Sequence, residues 1–400
     1  MNELTQNQSY SIQLDLKEAS HYRVLQALRG NELSGAQLAR QTGYRPSTMV
    51  YILRALHKKN LIQISGSGPS TELGGKRPTL WQLNAEYGYV IGVEVTAYQV
   101  RLIVMNFAGS TIDQTSIDWD PKKQTDLWEG LLVESIRNAT GKHEGRYNRC
   151  LGVGVAITGI TNREAGVVHY SRQLHVSGFP LKEKLELQLG LPVQIINDAN
   201  AGALAMKWFP DSDEPYPTIV YFNINETSPE YGAGLILQNG LYEGRSGSAG
   251  ELTTPLVSRE ILIEKAREAG YDISLEHPVF RQSDYLSFSS MNQCVGEGDS
   301  AAQFIVNAFF QCLAEEVVRI IGLIDPDCIV FGGDLPNLSI PLESSLIPQV
   351  ESIVKTRFEY GIELPHMQYS PLGSYTGAVG GASIVFRELF HLNHQREPLL

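Results

Sequence analysis

Twice after residue 84 the sequence runs through apolar, β-branched stretches and then into a helix-like segment, with glycines at the joints. YVIGVEV (89–95) and VRLIVMNFAG (100–109) read as two strands joined by a turn, and GVGVAITGI (152–160) as a further buried strand. LKEKLELQLG (181–190) has the spacing of an amphipathic helix. LPVQIINDANAGALAM (191–206) passes from strand into helix. The pattern then repeats. TIVYFNI (218–224) and GAGLILQNGLY (232–242) are strands, residues 300–323 form a long helix, CIVFGG (328–333) is a strand, and GAVGGASIVFRELF (377–390) is a last helix. A β-β-α unit used twice predicts two α/β lobes around a cleft.

The first eighty residues have a different texture. EASHYRVLQALR (18–29) places Tyr22, Leu25 and Leu28 near helical spacing, and Gly30 stops that helix. Ser34 is the N-cap of a second helix that ends at Gly43. A turn through Arg45 and Pro46 leads to a third helix reaching Asn60, with Val50, Leu53 and Leu56 expected inside. Two short helices joined by a tight, glycine-containing turn form a helix-turn-helix. LIQIS (61–65) and TLWQLN (79–84) flank SGSGPSTELGGKRP, a hairpin with a basic, flexible tip: a wing. The third helix is expected to enter the major groove by its N-terminal end. Arg45, Ser47, Thr48, Tyr51 and Arg54 are the outward polar candidates there. Lys76 and Arg77 on the wing suit the narrow minor groove of A·T-rich DNA. The competing expectation is a small helical protein-interaction module with GGKRP as a linker.

Charge separates the two parts. Residues 1–82 carry ten Lys and Arg against five Asp and Glu, net +5; the other 318 carry 22 against 39, net −17. A basic head on an acidic body is the asymmetry expected when only the head meets phosphates. We therefore expect residues 1–82 as a DNA-binding domain and 83–400 as the α/β body. No apolar run is long enough to span a bilayer, and the first residues lack a signal-peptide pattern. Cys150, Cys294, Cys312 and Cys328 are scattered, with no Cys-x-x-Cys pair, so a reducing cytoplasm is expected and no cysteine zinc site.

LGLPVQIINDANAGALA and GAGLILQNGLYEGRSGSAGEL resemble the two signatures of the ROK family (repressors, open reading frames and kinases). GGKRPTLWQLNAEYGYVIGVEV resembles the junction between wing and first strand in its repressor branch. CIVFGGDL and LGSYTGAVGGASIV resemble its late glycine motifs. The likeness runs in order over nearly the whole chain. It implies an N-terminal winged helix-turn-helix plus a two-lobed actin-like ATPase/sugar-kinase (ribonuclease H-like) fold. It also implies a double-stranded DNA operator, a sugar or sugar-phosphate effector, and a homodimer or homotetramer.

By that resemblance Asp198 stands where ROK kinases place the base that takes the sugar hydroxyl proton, next to Asn197, and Glu251 where a glutamate holds sugar hydroxyls. Gln173 stands where relatives often carry a sugar-touching Asn. The phosphate motifs depart from the family. The first, usually Asp-x-Gly-x-Thr, reads Glu94-Val95-Thr96-Ala97-Tyr98. Thr96 replaces a glycine whose lack of Cβ would let backbone approach a phosphate. The second turn runs Asn225 to Tyr231, with Pro229 unable to donate an amide and Glu226 and Glu230 repelling phosphate. An adenosine pocket near Gly332 and Gly333 would be an idle relic. Thr254 stands where the zinc-site histidine belongs, and the cysteine loop is missing. No metal, cofactor or kinase activity is expected. Three functions fit these residues: a sugar-sensing DNA-binding repressor, a ROK sugar kinase with an added DNA-binding domain, and a regulator whose body only oligomerises.

Overall fold

The computed structural model describes residues 12–390 apart from 15, 17, 70–76, 120–126, 148, 210–215, 227–230, 253–257, 281–285 and 359–360. The head comprises α1 (Ala19–Ala27), β1 (Leu33–Ser34), α2 (Gly35–Thr42), α3 (Pro46–Lys58), β2 (Ile62–Ser67) and β3 (Thr79–Leu83). Ser34 caps α2 through a reciprocal box with Gln37, and Gly43 closes it in the left-handed conformation (φ 73°). The three helices bury Tyr22, Leu25, Leu28, Leu38, Met49, Ile52, Leu53 and Leu56. β1 adds to the wing hairpin, giving a three-stranded antiparallel sheet in the order β1-β3-β2.

The first lobe contains β4 (Tyr89–Val95), β5 (Gln99–Asn106), β6 (Thr111–Asp118), α4 (Leu127–His143), β7 (Cys150–Ile157), β8 (Ile160–Asn162), β9 (Val167–Ser171), β10 (Val176–Phe179), α5 (Leu181–Leu189), β11 (Val193–Asn197) and α6 (Asp198–Trp208). Its main sheet has the order β11-β7-β4-β5-β6, and β8 to β10 form a separate antiparallel sheet. The second lobe contains β12 (Ile219–Ile224), β13 (Tyr231–Leu237), β14 (Gly240–Leu241), β15 (Glu251–Leu252), α7 (Arg259–Glu268), α8 (Phe288–Gly296), α9 (Ser300–Ile324), β16 (Cys328–Gly333), α10 (Leu342–Ser345), α11 (Ile347–Arg357), β17 (His366–Tyr369) and α12 (Thr376–Phe390). Its sheet runs β14-β13-β12-β16-β17, with β15 also paired to β13.

Helices α6 and α12 lie between the two sheets, and small residues let them come close. A Cβ on Gly154 of β7 would overlap the Gly381 carbonyl of α12, and one on Gly234 of β13 would overlap the Ala199 carbonyl of α6. Glycine is required at both positions because backbone, not a movable side chain, fills the space. The apolar cluster on these helices continues into the head, joining Leu25, Leu28 and Ile12 to Trp208, Phe386 and Phe390. Head and body thus share one core cluster. No helix among the described residues is long and apolar enough to cross a membrane.

Candidate functional site

On the head, α3 begins at Pro46 directly after Arg45, whose extended backbone (φ −63°, ψ 146°) serves as the N-cap position. Proline suits the first helical position because that amide has no intrahelical partner. Met49, Ile52, Leu53 and Leu56 point inward at helical spacing. Ser47, Val50, Tyr51 and Arg54 form the opposite stripe, and all four are exposed, as are Arg45 and Thr48. Val50 is therefore a correction: it is 48% exposed, and Met49 takes the inward place predicted for it. From Leu33 to Asn60 the chain has Arg40, Arg45, Arg54, Lys58 and Lys59 and no Asp or Glu. Arg77 is exposed at the root of the wing; Lys76 and the tip lie outside the described residues.

In the body, Asn197, Asp198 and Glu251 converge. The Asn197 amide nitrogen donates to the Gly159 carbonyl at 3.0 Å, to Asp198 Oδ1 at 3.1 Å and to Glu251 Oε1 at 3.2 Å. Its carbonyl oxygen caps α6 by accepting from the Asn200 amide. One amide therefore holds two carboxyl groups together at the start of α6. Burial, then Glu251 and Glu94, push Asp198 up to about 8. At neutral pH this carboxyl tends to keep its proton while Oδ1 accepts from the Asn197 amide, and a group that already holds a proton is poorly prepared as a general base.

A cleft of about 610 Å³ is lined by Ile160 and Ser248, which adjoin this cluster through Gly159 and Glu251, while Asn197, Asp198 and Glu251 themselves stand outside its lining. It lies between the β8–β9 hairpin and the glycine-rich loop before Glu251, with Thr161, Arg163, His169, Glu243, Ser246 and Ser248 among its walls. Arg163 is paired with Glu243 at 3.1 Å and Glu388 at 3.5 Å. Gln173 stands half-buried in the turn after β9 and does not line this cleft.

The described residues of the phosphate motifs are engaged by the protein's own groups. Thr96 Oγ1 accepts from the amides of Tyr98 (3.4 Å) and Gln99 (3.1 Å), so these two donors of the β4–β5 turn are already engaged. Glu94 is buried and bonded to Arg101 opposite it on β5, at 3.2 Å. Arg101 also reaches Asp334, just beyond Gly333, at 3.6 Å. Asp334 Oδ2 in turn accepts the Glu226 amide at 3.2 Å. Burial and Asp334 raise the Glu94 carboxyl, with Arg101 opposing. For Arg101 burial acts to lower the pKa, but Glu94 and Asp334 outweigh it and keep the guanidinium charged. Sequence reasoning missed Arg101 and Asp334. The available signal was a lone Arg in an apolar strand. Pro229, Glu230 and Thr254 lie outside the described residues.

A last constellation joins head to body. The Arg29 guanidinium lies 3.5 Å from the Trp208 ring centroid and donates to the Trp208 carbonyl at 2.8 Å. Burial lowers Arg29 to about 10. Gln26 donates to the Phe390 carbonyl at the end of α12. Helix α6 thus starts at Asp198 and finishes against the head.

The ROK family model matches residues 90–260 and 264–388, and a MarR family model matches residues 14–69. The chain belongs to the ROK family. A xylose repressor of Caldicellulosiruptor bescii is 30% identical over 242 residues, 59% of this chain and 58% of the repressor, so just over half of that relative's length is matched. A xylose repressor of Staphylococcus xylosus is 25% identical over 79% of this chain and 83% of its own. The Escherichia coli dual regulator NagC is 22% identical over 86% and 85%. Among solved structures, a ROK family transcriptional regulator homologous to E. coli MLC superposes with a TM-score of 0.70 at 19% identity, covering 93% of this chain and 96% of its own. A Streptomyces griseus ROK glucokinase superposes at 0.57 and 21% identity, covering 74% and 99%. The fold is thus a winged helix-turn-helix joined to a ROK sugar-kinase-like body.

Proposed function

We propose that this ROK protein is a DNA-binding transcriptional regulator of the repressor type, whose body senses a sugar and does not transfer phosphate. The observation that carries the choice against a kinase is the internal network Glu94–Arg101–Asp334–Glu226 amide. Phosphoryl transfer depends on placing the donor among amides and cations. Here a carboxylate already holds the Glu226 amide and the cation, and both carboxylates would repel a triphosphate. Asp198 is a relic base and Asn197, Asp198 and Glu251 are sugar ligands, with Gln173 a peripheral one. The exposed, acid-free α3 face supports a duplex operator read by Arg45, Ser47, Thr48, Tyr51 and Arg54, with Lys76 and Arg77 on the wing. Relatives named xylose repressor and N-acetylglucosamine repressor support carbohydrate control. We assign residues 1–82 to the DNA-binding domain, 83–400 to the sensing body, a homodimer or homotetramer to paired half-sites, and the cytoplasm as location.

Coupling runs through α6 in this account. Its eleven residues, about 16 Å long, carry Asp198 at one end and the Arg29 partner Trp208 at the other. A sugar that shifts the Asn197–Asp198–Glu251 cluster moves a helix packed against the head. The test is selection of duplexes from a random pool with the full-length protein, then titration with xylose, glucose, N-acetylglucosamine and their phosphates. Sequence-specific binding that one sugar alters, with no sugar-dependent ATP turnover, is the expected result. Turnover above about 1 s⁻¹, in the range of working kinases, would refute it.

A further inference from the structure

The outward stripe of α3 contains one residue that cannot hydrogen-bond. Ser47, Val50, Tyr51 and Arg54 follow i, i+3, i+4, i+7 spacing, so they share one face. Val50 lies between a hydroxyl one turn before it and a guanidinium one turn after it, and beside a Tyr51 that is 63% exposed. A β-branched residue loses side-chain freedom in a helix. At a position left 48% exposed, where packing compensates only in part, valine is therefore a poor helical choice. The face surrounding it carries cations and no carboxylate, which fixes the charge of its partner.

We infer that Val50 is a base-reading residue, making apolar contact with the C5-methyl group of a thymine in the major groove. The proposal rests on the DNA-binding function above and refines it. Each base pair presents its own pattern in that groove, and the thymine methyl is the one feature read by apolar contact. A valine side chain, with two methyl groups and no donor, matches that feature and none of the hydrogen-bonding ones. The neighbouring Ser47, Tyr51 and Arg54 are left to read donors and acceptors. The operator half-site thus contains a required thymine at the position facing the middle of α3.

The test uses full-length protein and the duplex it selects, with each half-site thymine replaced in turn by deoxyuridine, which lacks only the methyl group. At one thymine we expect the wild type to lose about fourfold in affinity, the order associated with one CH₂ group leaving contact. Val50→Ala should bind the unsubstituted duplex about fourfold more weakly and be indifferent to uridine at that position. Alanine raises helix propensity at this exposed site, so the variant should fold. Val50→Thr, with one methyl replaced by hydroxyl, should fall between the two. Methyl sensitivity that persists in Val50→Ala assigns the contact to another side chain and overturns the inference, as does a half-site with no methyl-sensitive thymine. Absence of binding to every unsubstituted duplex removes the DNA-binding function itself, a result visible before any uridine is introduced.

Discussion

Replacing Arg101 by Met removes one charge from a network in which it holds two carboxylates. The side chains of Arg101, Glu94 and Asp334 are 11%, 7% and 19% exposed, so water can replace little of what is lost. The gross attraction at 3.2 Å is about 5 kcal/mol for an effective dielectric constant near 20. Most of that is offset by desolvation of the ions. Removing one partner of a buried pair nonetheless costs roughly 3–5 kcal/mol, because the remaining charge stays buried. We therefore expect Arg101→Met to lose about 3–5 kcal/mol at pH 7.5. Glu94 can escape by taking up a proton. Burial and Asp334 already raise its carboxyl, and the variant removes the opposing Arg101. A carboxyl whose folded pKa lies above its unfolded value destabilises the fold increasingly as pH rises through that interval. The penalty should thus be smaller at pH 5.5 than at pH 8. Glu94→Gln in the same background should recover part of the loss, with a coupling of about 1–3 kcal/mol. Urea unfolding followed by tryptophan fluorescence at three pH values gives these quantities, provided the m-value is unchanged. A penalty under about 1 kcal/mol, or one independent of both pH and Glu94, would show that the network is not a buried ionic lock.

Asp198→Asn should raise the melting temperature at pH 7.5 and flatten the fall in stability between about pH 4 and pH 8, since the wild-type carboxyl is raised to about 8 and its ionisation opposes folding over that interval; a steep profile retained in the variant would contradict the assignment. Arg29→Ala should weaken head–body docking by about 2 kcal/mol, the scale of a desolvated cation–π contact. Its expected signature is faster hydrogen exchange in α1 and a smaller sugar effect on DNA affinity, with sugar-free affinity nearly unchanged; an undiminished sugar effect would rule out the α6 route. Arg45→Ala or Arg54→Ala should cost about 1–3 kcal/mol of operator binding if the side chain reads a base edge. A loss that is equal on all sequences would make it a phosphate contact instead.

Much of the architecture was legible because its signals are local. Ser34 and Gly43 mark the ends of α2 by capping and backbone conformation, and the structure uses them so; α1 ends earlier, at Ala27, with the left-handed Gly30 two residues past its Leu28 cap. The inner strands β4, β7, β12 and β16 are nearly continuous apolar runs, as strands buried on both faces must be. Strand β6, TIDQTSID, was not legible: it is an edge strand with little buried surface, so it lacks an apolar period. Val50 was misplaced because α3 is apolar on more than one side, and two apolar stripes compete for the core. In the site, Asn197, Asp198 and Glu251 were found through their motifs, and the structure brings them together. Arg101 and Asp334 were not found, because their partnership spans more than two hundred residues and only the folded lobes create it. Arg29 and Trp208, 179 residues apart, likewise meet only when head and body pack together.

The claim that a sugar bound in a kinase-like body controls DNA binding without phosphoryl transfer is tested most directly by one titration. Full-length protein is bound to its selected operator, and affinity is measured across the sugar panel in the absence of ATP. One sugar is expected to change the operator affinity by at least about tenfold, near 1.4 kcal/mol of coupling, and Asp198→Asn or Glu251→Gln to abolish the change. An operator affinity that no sugar alters, or a sugar response that survives both substitutions, would contradict the claim.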